Sequence, residues 1–103
     1  MQRFDIYNAQ TQWNGCSDVR PWLIVEIGSA ELLGCFPIAS QCYGGNCFPI
    51  ECGDPDFAAS GLSKSCFIHD SHIIEISAGQ IGRYCGRLQR QLLADFLEFS
   101  GLT

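Results

Sequence analysis

Eleven glycines and four prolines are scattered between short apolar runs, so the chain turns too often to be built from long helices. The spacing predicts strands. Residues 4–7 (Phe-Asp-Ile-Tyr) alternate as a short strand does. The stretch from Asn8 to Val19 is polar, carries the turn dipeptide Asn14-Gly15, and reads as a loop. Pro21 to Ile27 is a continuous apolar run rich in β-branched and aromatic residues, which predicts a central, well-buried strand. Gly28-Ser29 makes a turn, and residues 31–38 supply the next, antiparallel strand. Residues 39–46, with Gly44-Gly45-Asn46, form a loop. A short strand follows at 47–51, which Pro49 limits to an edge or a bulge. Residues 53–56 read as a turn, with an irregular segment to Ser63. Residues 66–69 and 73–76 read as strands, and 80–85 as either a single helical turn or a strand.

After that the period changes. Leu88, Leu92, Leu93, Phe96, Leu97 and Phe99 recur at helical spacing, with polar residues between them and Gly101 where a helix would stop. The expected fold is therefore mainly β, a small barrel of about five or six strands with an amphipathic C-terminal helix of about three turns. At 103 residues there is room for one domain, 1–103. Hydrophobic residues at 47% and charged residues at 17% suit a folded globule rather than a disordered chain. No stretch approaches the ~20 consecutive apolar residues that span a bilayer. Asp5 interrupts the N-terminus before any signal-peptide core can form. The expectation is a cytoplasmic protein with no membrane partner.

That compartment governs the seven cysteines. An odd count and no export signal argue against a disulfide framework, and most are expected as small buried apolar residues. The run Cys42-x4-Cys47-x4-Cys52 is the exception, because its links lie at the wide end of zinc-ligand spacing. His69 or His72 would complete such a site. Incidental cysteines are the default, and no metal is assigned.

The net charge of −5 excludes a generally basic, nucleic-acid-coating surface. Only six cations exist, Arg3, Arg20, Lys64, Arg83, Arg87 and Arg90, of which the last three form a local basic cluster.

Four segments together resemble the MazF/PemK family of bacterial toxins. Asp5-Ile6-Tyr7 looks like its opening strand, and Arg20-Pro21 with the apolar run that follows looks like its R-P-V-V-V signature. Residues 35–41 (Cys-Phe-Pro-Ile-Ala-Ser-Gln) are similar to its V-x-P-[IV]-T-[ST] strand end. His69-Asp70 to Ile76, then Ile81-Gly82-Arg83 and Gly86-Arg87-Leu88, resemble its closing region. The resemblance implies an SH3-like barrel of the MazF/PemK/CcdB type, a homodimer neutralised by an antitoxin peptide, and cleavage of single-stranded RNA. It also implies no cofactor: the ribose 2′-hydroxyl attacks the adjacent phosphate and leaves a cyclic phosphate.

Such transesterification needs a base, an acid and positive charge at the phosphorane. By resemblance Arg20 takes the phosphate or donates a proton, and Asp70 is the carboxylate acid or base. Ser40 stands in for the family's threonine, whose own position is Ala39. The arginine that some members carry two residues before the carboxylate is Ile68 here. Asn14 only loosely matches the histidine that certain members carry in the first loop. His69 or His72 would supply a missing base. Trp13 and Tyr43, aromatics in polar loops, are expected to stack splayed bases, with Arg83 and Arg87 on the backbone. Each has a plainer counterpart: Arg20 paired with Asp18, Asp70 capping the turn at Ser71, the histidines as exposed loop residues, Trp13 and Tyr43 anchoring a partner chain. Two further functions stay open, a barrel that lost catalysis and only binds protein or nucleic acid, and a metal-binding variant.

Overall fold

In the computed structural model, which describes residues 1–102, seven strands form one antiparallel sheet. They are β1 (Asp5–Gln10), β2 (Val19–Ile27), β3 (Leu32–Ala39), β4 (Cys47–Ile50), β5 (Cys66–His69), β6 (Ile74–Ser77) and β7 (Ile81–Arg87). A one-turn helix α1 (Phe57–Ser60) precedes β5, and α2 (Arg90–Ser100) closes the chain. The hydrogen-bonded order is β4-β5-β3-β2-β1-β7, with β6 also on β3. Among the described residues no ladder joins the two ends of this path. No helix among them is long and apolar enough to cross a membrane.

The unbroken apolar run of β2 has a direct cause. Leu23 and Val25 point into one core with Phe36, Phe48, Ile68, Leu92 and Phe96, while Trp22 and Ile24 point into a second with Ala9, Leu33, Cys35 and Ile76. A strand buried on both faces has no polar face to alternate with. The sheet is bent so that each face encloses its own core. A bulge between Ile24 and Glu26, opposite Cys35 and Gly34, adds to the bend.

Helix α2 docks through Leu92 and Phe96, whose ring meets Phe48 edge-on at 5.4 Å and Phe36 at 6.3 Å. Its N-terminus lacks a local side-chain cap. Instead the Asp56 carboxylate accepts the Leu92 N–H at 3.3 Å from far away in sequence. Gly101 ends the helix in the left-handed conformation that its position predicts.

The differences from expectation are local. There are seven strands rather than five or six. β1 runs on to Gln10 because β2 and β7 both pair with it, which outweighs its polar composition. The segment after residue 77 uses both alternatives in turn, a 3-10 turn at Ala78–Gln80 and then β7. Pro49 sits on β4, an end of the sheet order, as a proline in a strand requires. Cys42 and Cys47 form a disulfide, against the expectation of unlinked cysteines. The loop between them, with Gly44 and Gly45 at φ 102° and 70°, brings their Cα atoms to 5.9 Å.

Candidate functional site

The site begins at a turn. Asn14 and Gly15 adopt φ 53° and 78°, the left-handed pair of a type I′ turn, and the flanking Trp13 and Cys16 exchange backbone hydrogen bonds of 2.8 and 3.0 Å. This tight hairpin holds the Trp13 indole over the second core. Arg20 leaves β2 on the same face as Trp22 and Ile24, since side chains two apart on a strand share a face. Its guanidinium carbon lies 5.0 Å from the Trp13 ring centroid. Among the described residues it makes no ion pair with Asp18 or any other carboxylate, and its buried Nε has no hydrogen-bond partner. Stacking positions this cation and leaves its charge unneutralised.

His69 ends β5 and is buried. Its ring meets Trp13 edge-on at 4.8 Å and lies under Tyr43, with centroids 5.7 Å apart and planes 26° apart. The Tyr43 N–H donates to Nε2 at 3.4 Å, while Nδ1 is buried with no partner of good geometry. Burial pushes the imidazole below its ordinary value of 6.5; the nearby carbonyls of Pro37, Gln41 and Phe67 oppose this, and the Arg20 charge adds to it. His69 is held neutral.

Two hollows open beside this cluster and share Tyr43. The first, of about 450 Å³, is lined by Asp18, Arg20, Ala39, Ser40, Tyr43 and Lys64, among others. The second, of about 290 Å³, is lined by Trp13, Asn14, Tyr43, His69, Ser71 and His72, among others. The fold therefore gathers Arg20, Ser40, Tyr43, Trp13 and His69 from four separate segments. Lys64 joins them; nothing in its serine-rich surroundings marks it in the sequence. His72 also reaches the second hollow.

Other candidates lie elsewhere. Asp70 lines neither hollow. Successive residues of an extended strand face opposite ways, and His69 takes the side of the cluster. Burial raises the Asp70 carboxyl above its usual range, with its own backbone N–H and His69 pulling it back. Arg20 shares its hollow with the Lys64 ammonium, the His69 imidazole lines the neighbouring hollow, and Asp70 lines neither. Arg83 and Arg87 lie on β7, two strands from Arg20 in the sheet order, and line neither hollow. Arg87 donates to the Gln2 side-chain oxygen at 2.9 Å and stands 3.9 Å from the Asp5 carboxylate, so its charge is engaged at the N-terminus. Ile68 is fully buried in the first core and Ala39 is buried, so neither offers a reactive group.

A guanidinium that makes no ion pair among the described residues, an ammonium and a hydroxyl around one hollow suit a phosphate group, with the Asp18 carboxylate lining the same hollow. A neutral imidazole and two loop aromatics next to it suit proton transfer and base stacking.

No family model matches the chain, and no curated protein matches it in sequence. Solved structures do match. The Mycobacterium tuberculosis toxin MazF-mt6 superposes with a TM-score of 0.70 at 20% identity, covering 94% of this chain and 92% of that one. The fold is that of the MazF toxins. A mycobacterial endoribonuclease, solved in complex with its cognate antitoxin, superposes with a TM-score of 0.64 at 15% identity, over 98% of this chain and 93% of that one. The MazF-like fold is thus matched over nearly its whole length in both chains, as the four sequence segments imply.

Proposed function

We propose that the chain is a MazF-like toxin, an endoribonuclease that cuts single-stranded RNA by transesterification without a metal. One observation carries this: in a MazF-like fold, Arg20 is stacked on Trp13 with no carboxylate partner, beside a hollow that Ser40 and Lys64 also line. The Arg20 fork and the Lys64 ammonium bind the scissile phosphate and stabilise the phosphorane. Neutral His69 is the base for the 2′-hydroxyl proton once the Tyr43 N–H has moved off Nε2, as that oxygen attacks phosphorus and the 5′-oxygen leaves. His72, exposed on the second hollow, is the candidate acid for that leaving oxygen. Tyr43, 52% exposed, and Trp13 offer rings to flanking bases.

The same hollow is the proposed seat of an antitoxin peptide, as the neighbour solved with its antitoxin suggests; Arg20 and Lys64 suit an acidic segment. A homodimer in the cytoplasm follows from the resemblance. Exposed Val19, Ile27, Leu32 and Ile73 supply apolar surface for pairing.

The test is purified chain with single-stranded RNA in excess chelator. Fragments ending in a cyclic phosphate are expected from wild type and not from Arg20→Ala. RNA left intact and unbound at high protein concentration contradicts the proposal. The buried Ile68 and Ala39, and Asp70 away from the hollows, favour a second reading, a binding module that has lost catalysis. It is chosen if wild type retains RNA uncut and Arg20→Ala does not.

A further inference from the structure

The loop that carries Tyr43 is closed by the Cys42–Cys47 disulfide, and it sits against His69. The two sulfurs and a ring nitrogen of His69 all lie within 4.8 Å of one another. We infer that the disulfide is one of two states of this loop, and that the reduced state binds one zinc ion through Cys42, Cys47 and His69.

The donor set fits that metal. Two thiolates and an imidazole are borderline-soft ligands that select zinc over magnesium or calcium. Cys-x4-Cys lies within the ligand spacing of zinc sites. Ligands at zinc's bond lengths stand about 3.5–3.8 Å apart along the tetrahedron's edges, so side-chain rotation alone brings this trio together. Water takes the fourth position. Charge points the same way: a bare dication beside Arg20 and Lys64 would be repelled, but with two thiolates the centre is neutral.

His69 contributes a second, independent indication. It is buried, with only 7% of its surface exposed, and its Nδ1 has no hydrogen-bond partner, although the Pro37, Gln41 and Phe67 carbonyls lie around the ring. With a metal on Nε2, those carbonyls are the acceptors toward which Nδ1–H would turn, as the second nitrogen of a metal-ligating histidine does. The Tyr43 N–H presently donates to Nε2, and Tyr43 directly follows Cys42, so a metal held by the loop's cysteines takes over that nitrogen. Cys52 is not part of the set: its sulfur accepts the Ser65 hydroxyl at 3.2 Å instead. This corrects the sequence-level triple of Cys42, Cys47 and Cys52.

The interconversion balances with a dithiol as reductant. Its thiolate attacks one sulfur of the pair, the S–S bond breaks, and the mixed disulfide is resolved by the reductant's second thiol. Two electrons and two protons pass to the protein, and the reductant leaves as a cyclic disulfide. Zinc then displaces the two thiol protons. A reducing compartment favours this state. With zinc on Nε2, His69 can no longer act as the base proposed above, so that step is silent in the zinc-bound state, while the metal titration reads the site independently of RNA cleavage.

The experiment reduces the full-length chain with a dithiol, removes the dithiol under argon, and titrates with cobalt(II) as the optical probe, then with zinc as competitor. One equivalent per chain is expected, with thiolate-to-cobalt charge-transfer bands and visible bands of tetrahedral cobalt, both bleached by zinc. The oxidised chain should bind none. Cys42→Ser, Cys47→Ser and His69→Gln should lose the spectrum, while Cys52→Ser keeps it. Alkylation of reduced wild type needs no variant: zinc should protect Cys42 and Cys47, leaving Cys16 and Cys52 reactive. Equal alkylation of Cys42 and Cys47 with and without zinc overturns the inference. So does cobalt binding that Cys52→Ser abolishes or that survives oxidation.

Discussion

The Arg20 guanidinium stands 5.0 Å from the Trp13 ring centroid and pairs with no carboxylate among the described residues. In a chain of net charge −5, a partly buried cation without a counter-ion is an unusual arrangement. It is also what a phosphate site requires, because a cation already paired must first give up its partner. Charge and planar shape both matter here. Arg20→Ala is expected to lower RNA cleavage by about 100-fold or more, the loss typical of removing a transition-state donor. Arg20→Lys should restore little, since an ammonium neither stacks as a plane nor binds two phosphate oxygens in a fork. Cleavage rates for the two variants check this.

Trp13 supports Arg20 and His69 together, so its removal should act on both. Trp13→Ala is expected to weaken single-stranded RNA binding by about 1–3 kcal/mol through lost stacking. A double-mutant cycle with Arg20→Ala should show a coupling of about 0.5–2 kcal/mol for the cation–π contact, read from binding constants.

His69 carries a pH signature. Its folded-state pKa lies below the ordinary 6.5, so the unfolded chain takes up the proton first as pH falls. Its stabilising contribution is therefore complete above about pH 6.5 and is lost as pH drops from there through the lowered value. Thermal melting of wild type should fall more steeply below that pH than melting of His69→Gln. In the same window the neutral ring persists, so cleavage should keep its rate to lower pH than a solvent-exposed histidine base would allow.

Two positions test the scaffold. Phe96 is fully buried against Phe36 and Phe48, and Phe96→Ala should cost about 3–5 kcal/mol in urea unfolding. Gly86 lies where a Cβ would strike the Ala59 carbonyl and the Ser60 backbone, which cannot retreat as a flexible side chain can. Gly86→Ala should cost about 1–3 kcal/mol or more, measured the same way.

The double-faced burial of β2 and the helical period from Leu88 to Phe96 are both visible in the sequence, because each writes its environment into local spacing. The coarse site was visible too, through Arg20-Pro21 and through aromatics placed in polar loops. What was not visible depends on direction. Nothing local says that His69 rather than Asp70 faces Trp13, since a shift of one residue along a strand reverses the face. Arg87 looks available until Asp5 and Gln2 are seen beside it. Lys64 and the Cys42–Cys47 link depend on how loops fold back, which hydrophobic period does not encode.

The most direct measurement follows the affinity of an uncleavable 2′-deoxy single strand across a range of salt concentrations, for wild type and Arg20→Ala. Each phosphate contact contributes about −0.7 to the slope of log affinity against log salt. If Arg20 holds a phosphate, the variant should bind more weakly and its slope should be shallower by about that amount. Equal affinity and equal slope for the two proteins would contradict the account.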